Sequence, residues 1–99
     1  MNNFNFLSKT PKEIDKLIAA RIRNIRRRRK ISQKRLSEKS GVSLGSVKRF
    51  ESGGEISLIS LTKIAIALDL ENELEGLFEH VPFLSIEEII NGEDEKTES

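Results

Sequence analysis

The sequence predicts an all-α fold of about five helices, and three observations support this prediction. Apolar residues recur at spacings of three and four, the period of one face of an α-helix, and no segment alternates apolar and polar residues as a half-buried strand does. Only two prolines are present, Pro11 and Pro82, so no proline interrupts a helix between them. Hydroxyl residues that can cap a helix precede four of the predicted segments: Thr10, Ser32, Ser43 and Ser57.

The longest predicted helix covers residues 11–29. Thr10 can cap its free backbone N–H groups, and Pro11 suits its first position. Arginines and a lysine fill residues 26–30, where positive charge complements the helix dipole. Its aliphatic residues form one stripe: Ile14, Leu17, Ile18, Ile22 and Ile25.

Two shorter helices follow, and a tight turn at Gly41 separates them. The first covers residues 32–39, and the second runs from the Ser43 cap to Ser52-Gly53-Gly54. A glycine after a helix can adopt the left-handed conformation that ends it. The predicted core residues of this pair are Leu36, Val47 and Phe50.

Two further helices complete the predicted domain. Ser57 caps the fourth, and the fifth is a short stretch from Glu73 to Phe78. The core stripe of the fourth helix is Leu58, Leu61, Ile64, Ala65 and Leu68. The inward residues of the fifth are Leu74, Leu77 and Phe78.

The chain divides into three predicted parts: an N-terminal arm at residues 1–9, a helical domain at 10–80 and a C-terminal extension at 81–99. Within the extension, Ser85 can cap one or two more helical turns. The acidic, polar residues 91–99 predict a disordered tail. The apolar residues of the extra turns are Ile86, Ile89 and Ile90.

The charge is divided between the two halves of the chain. Residues 1–50 carry 15 basic and 3 acidic side chains, a net charge of +12, whereas residues 51–99 carry 2 basic and 13 acidic ones, a net charge of −11. The overall charge of +1 conceals this division. The first half therefore predicts a polyanionic partner.

The side chains of most enzyme active sites are missing from the sequence. Without cysteine, disulfides, thiolate nucleophiles and cysteine zinc sites are excluded. His80 is the only histidine, and no serine near it has the context of a nucleophile. Gly53-Gly54 lack the spacing and the lysine of a phosphate-binding loop. We expect a protein that is not an enzyme and has no metal and no cofactor.

The sequence contains no membrane or secretion signal. No apolar run approaches the roughly 18 residues that a membrane span needs. The first residues do not lead from a charged region into an apolar one, as a secretory signal does. We therefore expect a cytoplasmic protein.

Two short helices joined by a glycine-containing turn form a helix-turn-helix when the second can enter the DNA major groove, and residues 32–52 have this layout. The most characteristic residues are Ile31-Ser32-Gln33-Lys34-Arg35-Leu36, Ser40-Gly41-Val42-Ser43 and Val47-Lys48-Arg49-Phe50-Glu51-Ser52-Gly53. They resemble the xenobiotic-response-element group of helix-turn-helix proteins, which includes the phage Cro and repressor domains. The resemblance covers about residues 18–78 and implies a five-helix, lambda-repressor-like DNA-binding domain with a short C-terminal extension.

The resemblance also implies which residues face DNA. Gln33 matches a glutamine that bonds a phosphate and braces the recognition helix, and Ser43 is implied to be both a helix cap and a phosphate contact. Leu44, Gly45 and Arg49 fall where relatives reach base edges. Ser46 and Lys48 flank these positions, and Ser32 belongs to the same expected DNA surface. From the basic charge of the first half we expect phosphate contacts at Arg28, Lys34 and Lys48.

Arg49 is the best candidate for a base-specific contact. Leu44 can contact a thymine methyl group but cannot form a bidentate hydrogen bond, and Gly45 has no side chain. We expect Arg49 to bind a guanine, with a phosphate contact or a solvated charge as the alternative. Arg26 and Glu51 match a pair that in relatives joins the first helix to the end of the recognition helix, so we expect a structural ion pair.

A homodimer is expected, because relatives bind two half-sites through a symmetric pair. Ile59, Ile66 and Leu70 form a second apolar stripe on the fourth helix, and Ile56 extends it. Residues of the terminal arms are the alternative cover for this stripe or the alternative dimer interface. The apolar residues of the arms are Phe4, Phe6, Leu7, Phe83, Leu84 and Ile86.

The predicted function is a sequence-specific regulator of transcription that binds double-stranded DNA and represses its own operon. The alternative is a HipB-like antitoxin that also binds a toxin kinase, because Arg49-Phe50-Glu51 and residues 54–58 are similar to proteins of that kind. A third interpretation is an adaptor that binds RNA or protein on the same scaffold.

Overall fold

The computed structural model describes residues 8–82, 86–87 and 89–91 of the chain. Residues 86–87 and 89–91 are also helical, and none of the described residues lies in a strand, which confirms the all-α prediction. The helices are α1 (Pro11–Arg28), α2 (Gln33–Ser40), α3 (Leu44–Gly53), α4 (Leu58–Ala67) and α5 (Glu71–Glu75).

The first four helices begin at the predicted capping residues. The side-chain oxygen of each cap accepts a hydrogen bond from the N–H group three residues further on. At α1, the Thr10 N–H group also donates to Glu13 Oε1 over 2.8 Å, which completes a capping box. The hydrogen bonds from the Thr10 backbone and side chain lower the pKa of Glu13.

Residues in the left-handed conformation end four of the helical segments. Gly41 follows α2 with φ of 78°, and Gly54 follows α3 with φ of 82°. Lys30 and Asp69 adopt the same conformation after α1 and α4, each with φ of 59°, although neither is a glycine. After α1, the Ile31 N–H group donates to the Arg26 carbonyl over 3.1 Å, which is the long hydrogen bond of a Schellman motif.

The core lies where α2, α3 and α4 meet beneath α1. α1 packs against α3, α2 contacts both α3 and α4, and α5 packs against α4. The buried hydrophobic residues of this core are Ala19, Leu36, Val42, Val47, Phe50, Ile64, Ala65 and Leu68.

The prediction of a core position is wrong for three residues. Leu58 is 71 % exposed, because it is the first residue of α4 and lies one turn before Leu61, the first residue of the helix that packs against the core. The fifth helix begins at Glu71 and ends before Gly76, so Leu77 and Phe78 fall in the turn that follows it and are exposed. Their side chains therefore do not lie on the inward face of a helix.

The aliphatic stripe of α1 meets the core only in part. Ile22 packs against the core, whereas Ile14, Leu17 and Ile18 are at least one-third exposed. The buried residues of α1 are Ala19 and Arg26. The small Ala19 side chain allows close packing of the helix, and the buried contacts of Arg26 fix which face of α1 points inward.

The arms lie mostly outside the described residues. Residues 1–7, which include Phe4, Phe6 and Leu7, are not described, and neither are Phe83, Leu84 and Ser85 or the tail at 92–99. Asn91, which was predicted to belong to the tail, is helical. None of the described helices is both long and apolar enough to cross a membrane.

Candidate nucleic-acid interface

The solvent-facing side of α3 carries a connected set of polar side chains. Ser43 caps the helix and donates from its hydroxyl to Ser46 Oγ over 2.9 Å. Arg49 Nη2 donates to the same Ser46 oxygen over 3.3 Å. Because residues three apart lie on one helix face, this network holds the exposed Arg49 guanidinium along the outer face of α3.

The neighbouring residues of α3 differ in their exposure to solvent. Gly45 and Lys48 face solvent, whereas Leu44 is half-buried. A Cβ atom added at Gly45 meets nothing within 4 Å, so the fold itself does not require a glycine there. The space at Gly45 is therefore free for close approach of another molecule to the backbone.

A buried ion pair fixes α3 to α1. Arg26 Nε donates to Glu51 Oε2 over 2.7 Å, and Arg26 Nη2 donates to Glu51 Oε1 over 2.9 Å, which is the bidentate geometry. Arg26 Nη1 also donates to the Ile31 carbonyl over 2.8 Å. These are the two residues for which the resemblance implies a structural pair, and the structure pairs them.

Gln33 adds α2 to this arrangement. Its Nε2 atom donates to Glu51 Oε1 over 2.9 Å, so one carboxylate joins α1, α2 and α3. Burial acts to raise the pKa of Glu51, but the hydrogen bonds from Arg26 and Gln33, with the positive charges of Arg26 and Arg23, outweigh it and lower the pKa. Glu51 is therefore a charged brace for α3 at neutral pH.

A basic groove lies beside this brace, between α1 and α3. Arg23 and Arg27 of α1 line it together with Gln33 of α2 and Lys48 of α3. Sequence reasoning missed Arg23 and Arg27 as members of the site. Their signal is the helical period, since they lie three residues before and one residue after the inward-facing Arg26 and four residues apart.

Two other arginines of the basic run lie elsewhere. Arg28 lines a cleft with Arg21 and Asn24 and does not line the groove at Gln33 and Lys48, so the structure does not bring it to the other predicted DNA contacts there. Arg29 Nη1 donates to the Leu68 carbonyl at the end of α4. The side chain of Arg29 is thus held by a hydrogen bond to another helical segment, as the side chain of Arg26 is.

The start of α2 exposes the two remaining predicted residues. Ser32 caps the helix by accepting the Arg35 N–H group over 3.0 Å, and Lys34 points into solvent. The first N–H groups of a helix attract an anion, which suits a phosphate. Ser32, Gln33 and Lys34 are therefore placed together at one helix start.

The comparisons with known proteins agree with this geometry. A family model described as helix-turn-helix matches residues 22–71, half of the chain, and the chain belongs to this helix-turn-helix family. The predicted membership of the xenobiotic-response-element group is thereby confirmed, and the protein falls in the class of DNA-binding regulators of transcription. No curated protein and no solved structure matches the chain.

Proposed function

We propose that the protein is a homodimeric, sequence-specific repressor that binds double-stranded DNA in its own promoter. The observation that carries this proposal is the two-sided arrangement of α3. One side is held by the ion pair of Arg26 and Glu51, and the other presents Arg49 to solvent on a support of Ser43 and Ser46. A recognition helix needs both a rigid attachment and an open polar face.

The proposed contacts divide into those that read bases and those that bind the backbone. Arg49 binds a guanine edge, and Leu44 contacts a thymine methyl group. Gln33 uses one amide hydrogen on Glu51 and keeps its second for a phosphate. The remaining phosphate contacts are proposed at Ser32, Lys34, Ser43 and Lys48.

Arg23 and Arg27 supply further phosphate contacts in this proposal. They line the same groove as Gln33 and Lys48. A DNA strand that passes the start of α2 would run along this groove. Arg28, on the other cleft, contributes to the long-range field only. The four cationic contacts of each protomer, at Arg23, Arg27, Lys34 and Lys48, make eight in a dimer. At about 0.9 per contact, the log–log salt slope of binding is then about −7.

The test is the affinity of Arg49→Ala for the promoter site and for a random duplex at one salt concentration. We expect at least a tenfold loss on the promoter, because a bidentate arginine–guanine pair contributes about 1–3 kcal/mol of discrimination, and a much smaller loss on the random duplex. Lys63→Ala, which removes one positive charge from an exposed position of α4, is the control. Equal losses on both duplexes would reduce Arg49 to a phosphate contact.

The salt slope tests the backbone contacts separately. If Arg27 binds a phosphate in each protomer, Arg27→Ala makes the slope about 1.8 less negative for the dimer, at about 0.9 per contact. Lys63→Ala is again the control and leaves the slope nearly unchanged. Gln33→Ala weakens binding by a similar factor on every sequence, and unchanged affinity would remove Gln33 from the site.

A HipB-like antitoxin remains the second candidate function. The observation that favours it is apolar surface away from the DNA-facing side of α3, at Ile59 and Ile66. Copurification of the product of a neighbouring gene in stoichiometric amounts, with loss of binding in Ile59→Asp, supports this candidate. Recovery of promoter DNA alone supports a plain repressor.

A further inference from the structure

One flank of α1 is an apolar surface that the described residues leave partly exposed. We name Ile14, Leu17, Ile18 and Ile25 the α1 strip; they share a flank at helical spacing. Ile14, Leu17 and Ile18 are between 36 % and 46 % exposed. A small groove continues the strip between α1 and the start of α4, and its apolar lining is Ile18, Phe50, Ile56, Leu58 and Leu61.

The border of the α1 strip near Ile25 is positively charged, whereas Asp15 lines the groove at its other end. Arg21 and Arg28 line the cleft that contains Ile25, and Asn24 lies between them. Among the described residues, neither arginine has a carboxylate within ion-pair distance. An occupant of the strip should therefore be apolar along one side and acidic along its edge.

The end of the described chain has these properties. Its large apolar residues are 40 % to 81 % exposed and include Ile86, Ile89 and Ile90, which share one face of a helical turn. Glu79 and Glu87 among them are exposed. We name as the C-terminal segment the apolar residues Leu77, Phe78, Val81, Ile86, Ile89 and Ile90.

We propose that the C-terminal segment of one copy docks on the α1 strip of a second copy, and that the exchange is reciprocal. This rests on the homodimer of the proposed function and assigns its interface. The carboxylates of Glu79 and Glu87 then lie near Arg21 and Arg28 of the other copy. In the single chain the segment is exposed and does not cover the strip.

The arginines at its border favour the α1 strip over the predicted face of α4 as the site for an acidic segment. Leu70 and Ile56 pack against the core, so only Ile59 and Ile66 of that face remain exposed. With about 180 Å² for each fully exposed large side chain, the strip and the segment together present on the order of 850 Å² of apolar surface per copy. About 650 Å² of this belongs to the segment and about 200 Å² to the strip, which is as much as Ile59 and Ile66 expose on α4. The segment therefore provides most of the roughly 800 Å² per partner that an interface of standard size buries.

The test compares self-association of the full chain with that of two variants by sedimentation equilibrium without DNA. Leu17→Asp disables the strip, and Ile86→Asp disables the segment; each homodimer then has neither contact intact. We expect each variant to associate at least about 100-fold more weakly, a factor of about ten for each contact. Ile59→Asp is the matched control on α4 and associates like the parent chain.

Mixing the two variants is the decisive step. The segment of Leu17→Asp is intact and so is the strip of Ile86→Asp, so the mixture regains one contact and associates about tenfold more tightly than either variant alone. No gain on mixing would overturn the proposal, because a contact within one chain or at another surface cannot be restored in this way. Far-ultraviolet circular dichroism verifies that both variants fold, and Ile14→Ser replaces Leu17→Asp if that variant does not.

Each other outcome contradicts the proposal and identifies a different occupant. A parent chain that stays monomeric at high concentration excludes the exchange. Loss of association in Leu17→Asp but not in Ile86→Asp assigns the strip to residues 1–7, and loss in Ile59→Asp alone assigns the dimer to α4. Because no DNA is present, failure here is distinct from failure of the repressor proposal, which the Arg49→Ala measurement tests.

Discussion

The substitution Glu51→Gln tests the brace beneath the recognition helix. The side chains of Arg26 and Glu51 are 10 % and 3 % exposed, so the variant leaves a buried arginine without its counter-charge. Removing one partner of a buried pair costs about 3–5 kcal/mol. We expect a loss of about 3 kcal/mol, because glutamine keeps one acceptor oxygen, and a melting temperature lower by about 12–24 °C at 4–8 °C per kcal/mol.

The assay is urea unfolding followed by circular dichroism at 222 nm, at pH 7 and at pH 3.5. Since the folded-state pKa of Glu51 is lowered from 4.5, its contribution is present above that value and is lost as pH falls through the folded pKa. The difference between parent and variant should therefore shrink in acid. Glu38→Gln, which breaks the exposed pair of Arg35 and Glu38, is the control and should cost less than about 1 kcal/mol.

A loss below 1 kcal/mol at pH 7, or an equal loss at both pH values, would refute the reasoning on Glu51. In the first case the brace does not contribute as a charged pair. In the second case the loss comes from the change of side-chain shape and not from the carboxylate charge.

Three further predictions concern backbone positions, and each is measured by denaturant unfolding. Gly54→Ala should lower the free energy of unfolding by about 2 kcal/mol more than Gly41→Ala does. Both glycines have positive φ, but only at Gly54 does the added Cβ meet the α1 backbone, at 2.8 Å. Equal losses would contradict this close approach. Lys30→Gly should raise the free energy of unfolding by about 1 kcal/mol, because Lys30 has a φ of 59° that glycine adopts without strain. An unchanged free energy of unfolding would refute a strained turn. Gly45→Ala and its control Gly53→Ala should each raise the free energy of unfolding by about 0.5–1 kcal/mol. Only Gly45→Ala should also weaken promoter binding. Equal promoter binding by the two variants would show that DNA does not approach Gly45.

The positions of helices α1 to α4 were predictable because their signals are local. A hydroxyl at each start satisfies free N–H groups, and Gly41 and Gly54 stop helices by a conformation that other residues adopt at a cost. The end of α1 shows where such signals fail. Lys30 adopts the glycine-like conformation because Ile31 returns to the core and closes the turn, which is a tertiary cause.

The sites of the arginine run were not predictable from composition. The sequence shows that residues 26–30 are basic, but which of them face DNA depends on the rotation of α1 about its axis. That rotation is set by Glu51, which lies 25 residues beyond Arg26, and by the Leu68 carbonyl that Arg29 binds. Arg23 therefore falls in the groove at Lys48 and Arg28 in another cleft, whereas Arg27 lies between the two and lines both.

The same ion pair links the stability of the domain to its proposed use. Glu51 belongs to α3, so the residue that holds α1 in place also holds the helix that carries Arg49. A variant of Arg26 or Glu51 then loses promoter binding through the unfolded fraction, whereas Arg49→Ala loses it at full stability. Measuring binding per folded molecule separates the two, because the first loss disappears on that scale and the second does not.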